Sequence, residues 1–181
     1  MSHIAIIGAT GRAGGQLLEE ALRRGHTVTA IARKASSLSS RVGVTVKEVD
    51  ILDAAALENA VKGADAVFSA AHFSGIPASA IIQPIKNAGV KRLLVVGGAG
   101  SLFATPNLKV IDTPNFPDEY KAEASAGGVY LDTLRLETAL DWTFLSPSAL
   151  FIEGNRTGKF RIGQDNLLVD ESGKSWIMSG M

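Results

Sequence analysis

The chain predicts an α/β fold, a doubly wound parallel sheet of strand order 3-2-1-4-5-6 followed by a small C-terminal extension. Two observations carry this. Short apolar or β-branched runs alternate with amphipathic stretches of helical period from Ile4 to Leu145. The first run, Ile4–Ile7, also stops at Gly8, glycine recurs at Gly11 and Gly14, and an amphipathic stretch follows at once. A buried strand, a glycine turn and a helix start, in that order, make the βα unit of a dinucleotide-binding domain. One glycine permits the tight turn, one lets the backbone approach a pyrophosphate, and one lets the helix pack close to the sheet. The free N–H groups and positive dipole end of the new helix then face the anion.

Composition narrows the class. A chain of 181 residues, 46% hydrophobic and 20% charged, reads as one globular domain spanning 1–181. Lys plus Arg and Asp plus Glu number 18 each, so overall charge does not argue for nucleic acid or membrane binding. Cysteine is absent, which removes disulfides, thiol catalysis and Cys-based metal sites, and three scattered histidines (His3, His26, His72) give no metal centre. No apolar run reaches membrane-span length and no leader precedes the first strand, so a cytoplasmic protein is expected.

From Ala13 to Arg24, Leu17, Leu18, Ala21 and Leu22 share one helical face, and Gly25 suits the C-cap. His26–Ala32 reads as the second strand, with Arg33 and Lys34 at its end. An NAD site places an acid about twenty residues beyond the glycines to hold the ribose 2′-hydroxyl. Arg33 stands there instead, nineteen residues after Gly14. A guanidinium accepts a 2′-phosphate bidentately where a carboxylate would repel it, so NADP(H) is the expected cofactor and NAD the other option. The competing reading is a pair of solvated surface bases.

Ser36–Ser40 is turn-like around a short helix, and Val44–Val49 is the third strand. Asp53 is expected to cap a helix over Ala54–Lys62 that buries Leu57, Ala60 and Val61. Asp50 ends the third strand, where ligands gather in open α/β sheets, which suits an adenine contact. Ala64–Ala71 is the fourth strand, and its small residues Ser69, Ala70 and Ala71 either pack tightly or let a flat ring approach the backbone. His72 at the rim reads as an exposed or hydrogen-bonded loop residue.

Pro77–Ala88 forms the next helix, with a kink or a late start at Pro84. Lys91–Val96 is the most apolar strand, as a central parallel strand should be. Gly97 opens an irregular segment to Phe116, a length that usually covers a site or is disordered. A helix then runs from Asp118 to Leu140, weakened by Gly127 and Gly128 unless something packs there, and Trp142–Leu145 is the sixth strand. The region 149–181 reads as a substrate-side extension, turn-rich from Glu153 to Gly163, with short strands near Leu167–Val169 and Ser175–Met178. Five βα units and a sixth strand result, with right-handed crossovers.

Ile6–Gly14 resembles the atypical, extended-type branch of the short-chain dehydrogenase/reductase superfamily. Leu94–Ser101, Trp142–Ser148 and Arg156–Gly158 are similar, more closely, to its NAD(P)H-binding, NmrA-like group, often labelled NADH-flavin reductase-like. The resemblance covers nearly the whole chain; its motifs specify the group and say little of the substrate. It implies a Rossmann-like fold with cofactor contacts at Gly8, Thr10, Gly11, Arg12, Ala13, Gly14, Arg33, Asp50, Ile51, Ala70, Ala71 and Gly97, and with Pro147 and Ser148 beside the nicotinamide.

Two departures matter. The superfamily's catalytic Tyr has a Lys four residues later, yet Tyr120 is followed four on by Ala124, and Tyr130 by Leu134. Adjacent Tyr120 and Lys121 point to different sides of a helix and cannot replace that pair. Relatives also continue past Ser175 with a further helix and strand, whereas this chain stops at Met181. A truncated end is expected, its apolar sheet surface exposed or handed to a partner subunit of a homo-oligomer.

The missing pair argues against alcohol dehydrogenation and leaves direct hydride transfer to a flavin, quinone or similar flat acceptor. Polar contacts to that acceptor are expected from Ser101 and Tyr120. The alternative is a non-catalytic NAD(P)-sensing regulator of NmrA-like type. An epimerase or dehydratase on a nucleotide sugar ranks lower, since such enzymes keep the Tyr/Lys pair and a larger C-terminal lobe.

Overall fold

The structure is a computed structural model that describes residues 1–152 and 154–178. Glu153, and the Ser179–Met181 end at which truncation was expected, lie outside the described residues.

Six parallel strands form the main sheet: β1 (His3–Ile7), β2 (Thr27–Ala32), β3 (Val44–Glu48), β4 (Ala66–Ser69), β5 (Arg92–Val96) and β6 (Asp141–Leu145). Their order is β3-β2-β1-β4-β5-β6, with the reversal between β1 and β4 that the doubly wound reading requires. Ile7 lies opposite both Ile31 of β2 and Ser69 of β4, so the chain leaves β1 at Gly8 between two neighbouring strand ends.

Alternation along β1 and β2 feeds two cores. Ala5, Ile7 and Ile31 point to one face, where Val67, Leu93 and Val95 join them beneath α2 (Ala54–Val61), α3 (Ala78–Asn87) and α4 (Asp118–Arg135). Ile4, Ile6, Val28 and Ala30 point to the other, covered by Leu18 and Ala21 of α1 (Arg12–Arg23). Asp53 caps α2 as expected, its Oδ1 accepting from the Ala56 N–H at 3.0 Å. α3 begins at Ala78 and runs through Pro84, so it starts on time; buried Ile81, Ile82 and Ile85 anchor it on either side of the proline. Gly127 lets α4 close on Phe73, whose ring carbon would lie 3.1 Å from a Cβ there.

Some expectations change. The β2–β3 connection carries only a 3₁₀ turn, Ser36–Leu38, so among the described residues four α-helices rather than five flank the sheet. The helix expected to reach Leu140 stops at Arg135. Glu137 turns away to accept from Lys86 Nζ at 2.9 Å and from the Ala139 N–H at 2.6 Å, and Leu140 is buried on entry to β6. The long segment after β5 is structured, with a 3₁₀ turn at Ala99–Ser101, a two-stranded hairpin of Phe103–Thr105 and Leu108–Lys109, and a 3₁₀ turn at Val110–Asp112. In the C-terminal extension Trp176–Met178 pairs in parallel with Leu150–Ile152, a strand the sequence did not suggest. Leu167–Val169 is no strand, because Leu167 donates instead to the Phe103 carbonyl at 2.9 Å, beside a single bridge from Phe103 to Asn166. No helix among the described residues is long and apolar enough to cross a membrane.

Leu93 is fully buried at the centre of the larger core. Leu93→Ala is expected to cost about 2–5 kcal/mol in urea denaturation, and Asp53→Ala about 1 kcal/mol through its lost cap. A Leu93→Ala loss no larger than that of the cap variant would contradict this account of the core.

Candidate functional site

Gly8 has φ +79°, a left-handed conformation that L side chains rarely adopt, and a Cβ there would lie 2.7 Å from the Ala70 carbonyl oxygen. The turn is closed from both sides, by the Gly8 N–H donating to Ile31 O at 2.8 Å and the Ala70 N–H donating to Ile7 O at 2.9 Å. It then folds on itself, with the Gly11 N–H donating to Gly8 O at 2.9 Å. A Cβ on Gly14 would collide with the Gly8 carbonyl, so the absent side chain lets α1 start directly against the turn.

Gly11 is the N-cap of α1 with no side-chain capping bond, and the first turn carries no acid. The N–H groups of Arg12, Ala13 and Gly14 therefore remain for an anion. With no side chain at 8 or 14, strand end, turn and helix start close on one another, and a tight turn followed by uncapped helix N–H groups fits a dinucleotide pyrophosphate. Thr10 is exposed beside it and lines a cavity of about 280 Å³ with Gln16, Ser37 and Arg41.

Arg33 and Lys34 follow β2 as exposed residues, and neither makes an ion pair among the described residues. Their turn is fixed from behind: Glu48 Oε1 accepts from the N–H groups of Ala35 and Ser36 at 2.9 and 3.1 Å. Asp50 is exposed just beyond β3, with one oxygen held by the Leu52 N–H at 3.0 Å, while Ile51 packs on the larger core. Ala70 and Ala71 lie past the end of β4 rather than within it, because the chain leaves the sheet where it meets Gly8. Gly97 follows β5 against the Phe144 ring, into which any side chain would drive. Pro147 and Ser148 sit half-buried after β6.

The two residues expected to meet a substrate are placed differently. Ser101 is half-buried in the 3₁₀ turn after β5, its hydroxyl 3.3 Å from Gly98 O and 3.4 Å from the Ser146 hydroxyl. Tyr120 opens α4 with 61% of its surface exposed. Lys121 beside it is bound to Asp118 at 2.6 Å, and Tyr130 is buried with no partner for its hydroxyl, burial pushing its phenol well above the ordinary range. Among the described residues neither tyrosine hydroxyl is hydrogen-bonded to a lysine.

The C-terminal extension folds back onto the start of α1. The Arg12 guanidinium lies 5.6 Å from the centre of the Phe151 ring, and Arg156 reaches Glu20 at 3.2 Å. Arg23, Arg24 and Arg156 together hold the Glu20 carboxyl down to about 2.

Sequence reasoning missed Glu123. This residue of α4 reaches back fifty positions to accept from the N–H groups of Phe73 and Ser74, at 2.8 and 2.9 Å, and lies 3.4 Å from His72 Nδ1. Partial burial pushes its carboxyl up, but those two N–H bonds, the Ser74 hydroxyl and the neighbouring imidazole hold it below its ordinary value of 4.5. No local pattern marks such a residue, since its partners lie on another element.

A methyl at Gly14 meets the Gly8 carbonyl, whereas one at Gly15 meets Ala9 O at an ordinary 3.9 Å. Gly14→Ala is expected to weaken dinucleotide binding by about tenfold or more in a fluorescence titration, and Gly15→Ala to bind as wild type. Equal losses would contradict the collision. Glu123 titrates lower when folded than unfolded, so its contribution is present above the unfolded value and lost as pH falls through the folded one. Glu123→Gln should therefore destabilise at about pH 7, and the difference from wild type should shrink as pH falls below the ordinary carboxylate range. Urea midpoints across a pH series check it.

Comparison with known proteins fits this geometry. The uncharacterized protein YwnB of Bacillus subtilis (strain 168) is 44% identical over 96% of this chain and 85% of its own length. A Bacteroides thetaiotaomicron structure, provisionally named an epimerase, superposes with TM-score 0.93 at 39% identity, covering 99% of this chain and 86% of that one. A Streptococcus pneumoniae TIGR4 structure, provisionally named an NADH-flavin reductase, gives TM-score 0.84 at 34% identity, covering 99% of this chain and 88% of that one. The model of the NAD(P)H-binding family matches residues 8–175, from the turn glycine into the C-terminal extension, and the chain belongs to that family.

Proposed function

We propose that the protein is an NAD(P)H-dependent reductase, favouring NADPH, that reduces a flavin, a quinone or a similar flat acceptor. The observation that carries this is a nucleotide-holding turn abutting a rim of small residues, Ala70, Ala71 and Gly97, without a Tyr/Lys pair. The provisional name of the Streptococcus pneumoniae relative supports the same class.

In this reading Gly8, Thr10, Gly11, Arg12, Ala13 and Gly14 hold the pyrophosphate, and Arg33 holds the 2′-phosphate. Asp50 and Ile51 flank the adenine. Ala70, Ala71, Gly97, Pro147 and Ser148 border the nicotinamide, which supplies hydride when bound. Ser101 and Tyr120 offer hydroxyls to the acceptor from the rim above, and residues 149–181 form the substrate side. The protein's own part is to orient two planar reactants and exclude water, which suits hydride transfer better than alcohol chemistry.

The missing Tyr/Lys pair favours a second reading, a non-catalytic NAD(P)-sensing regulator of NmrA-like type. Oxidation of NADPH followed at 340 nm across a flavin and quinone panel separates the two. Turnover above background supports the reductase, and tight cofactor binding without turnover supports the sensor.

Arg33 sets the cofactor preference. Arg33→Ala is expected to raise the Kd for NADPH about tenfold or more, as for loss of a charge-assisted hydrogen bond, and to leave NADH unchanged. Unchanged NADPH affinity by calorimetry would overturn the assignment.

A further inference from the structure

The end of β4 and the second turn of α4 meet in an arrangement that the cofactor does not require. Glu123 fixes the His72–Ser74 loop through two backbone N–H groups, and the same carboxylate stands 3.4 Å from His72 Nδ1. The His72 side chain is 90% exposed, and its Nε2 has no hydrogen-bond partner among the described residues. One ring nitrogen therefore faces a fixed carboxylate while the other is free to meet a ligand, the division of labour of an oriented acid–base imidazole.

The place is right for such a group. His72 comes directly after Ala70 and Ala71, against which the glycine turn abuts. A Cβ on Gly100 would lie 2.9 Å from that of Ala124, so the 3₁₀ turn bearing Ser101 packs on the same turn of α4 as Glu123. Ser101 in turn lies 3.4 Å from Ser146 after β6. Polar side chains from the ends of β4, β5 and β6 thus share the carboxyl edge of the sheet, where open α/β folds hold their ligands. Behind His72, the Phe73 ring is wedged against Tyr130 at 5.2 Å and Phe144 at 5.9 Å between centroids, which makes the loop a rigid mount.

We infer that His72, oriented by Glu123, donates the proton that accompanies hydride transfer to the acceptor. The inference rests on the reductase reading. The acceptor takes a hydride, two electrons and one hydrogen, from the reduced nicotinamide cofactor, which leaves oxidised; the new negative charge falls on a carbonyl oxygen or ring nitrogen of the acceptor. The N–H bond at His72 Nε2 breaks, the proton bonds to that atom, and the neutral imidazole regains a proton from solvent. His72 is the catalytic residue and Glu123 the positioning residue. Glu123 is the carboxylate within ion-pair reach of His72; elsewhere on α4, Lys121 is committed to Asp118 and Tyr130 is buried behind Phe73. The carboxylate facing Nδ1 leaves Nε2 toward the acceptor, so removing it lowers turnover through loss of that orientation.

Three proteins test this: wild type, His72→Gln and Glu123→Gln. His72→Gln is expected to bind NADPH within about twofold of wild type and to lose about a hundredfold in kcat, the lower end for a lost general acid. Glu123→Gln should keep KM and lose less in kcat. Without cofactor, the His72 ring-nitrogen resonances followed by NMR should show one preferred tautomer in wild type and lose that preference in Glu123→Gln. An unchanged tautomer preference overturns the pairing. Wild-type kcat in His72→Gln, with turnover intact, overturns the proton donor and leaves the reductase standing. No NADPH oxidation by wild type across the acceptor panel overturns the reductase reading and the donor role with it, while the ring-nitrogen resonances still decide the pairing.

Discussion

The backbone at Gly8 is shared by three elements. Its N–H is taken by the end of β2, its Cα faces the carbonyl that ends β4, and its own carbonyl lies where a side chain on Gly14 of α1 would have to be. Two strands and a helix converge on one residue with no room for a methyl group. Close packing makes such a junction stiff, because neither strand can yield without breaking the ladder that holds β1 at the centre of the sheet. The same turn leaves the first N–H groups of α1 without a side-chain cap, which is where the proposed pyrophosphate contacts fall.

A second junction lies just beyond β4 on the same edge. Phe73 lies between Tyr130 and Phe144 and against Gly127, which ties the loop after β4 to both α4 and β6. Phe144 in turn occupies the space that a side chain at Gly97 would need. Gly97 thus has a packing reason, independent of any ligand. Glu123 adds a charge-assisted clamp to this apolar wedge, and its oxygens accept two N–H groups that the loop would otherwise leave to water. A rim built in this way has a stiff backbone, as the proposed transfer between two planar reactants would require.

Most of the frame was legible. The runs read at Ile4–Ile7, Val44–Val49 and Lys91–Val96 become the strands His3–Ile7, Val44–Glu48 and Arg92–Val96, each within a residue of its expected bounds. The C-terminal extension was less legible, because Leu150–Ile152 is too short to show a period and becomes a strand only by pairing with Trp176–Met178. The expected helix beyond Arg135 failed for a related reason: Glu137 is drawn off by Lys86 of α3, a partner that local periodicity does not reveal.

The sequence by itself determined the doubly wound sheet, the glycine turn and the absence of a Tyr/Lys pair. These depend on residue type and spacing within a single βα unit, where sterics and hydrophobic period act locally. The tertiary structure alone decided that Glu123 clamps the loop bearing His72, that Phe144 enforces Gly97, and that Arg12 meets Phe151. Each joins residues tens of positions apart, and such pairs are set by where the sheet order and helix packing bring the chain ends together, which no local pattern encodes.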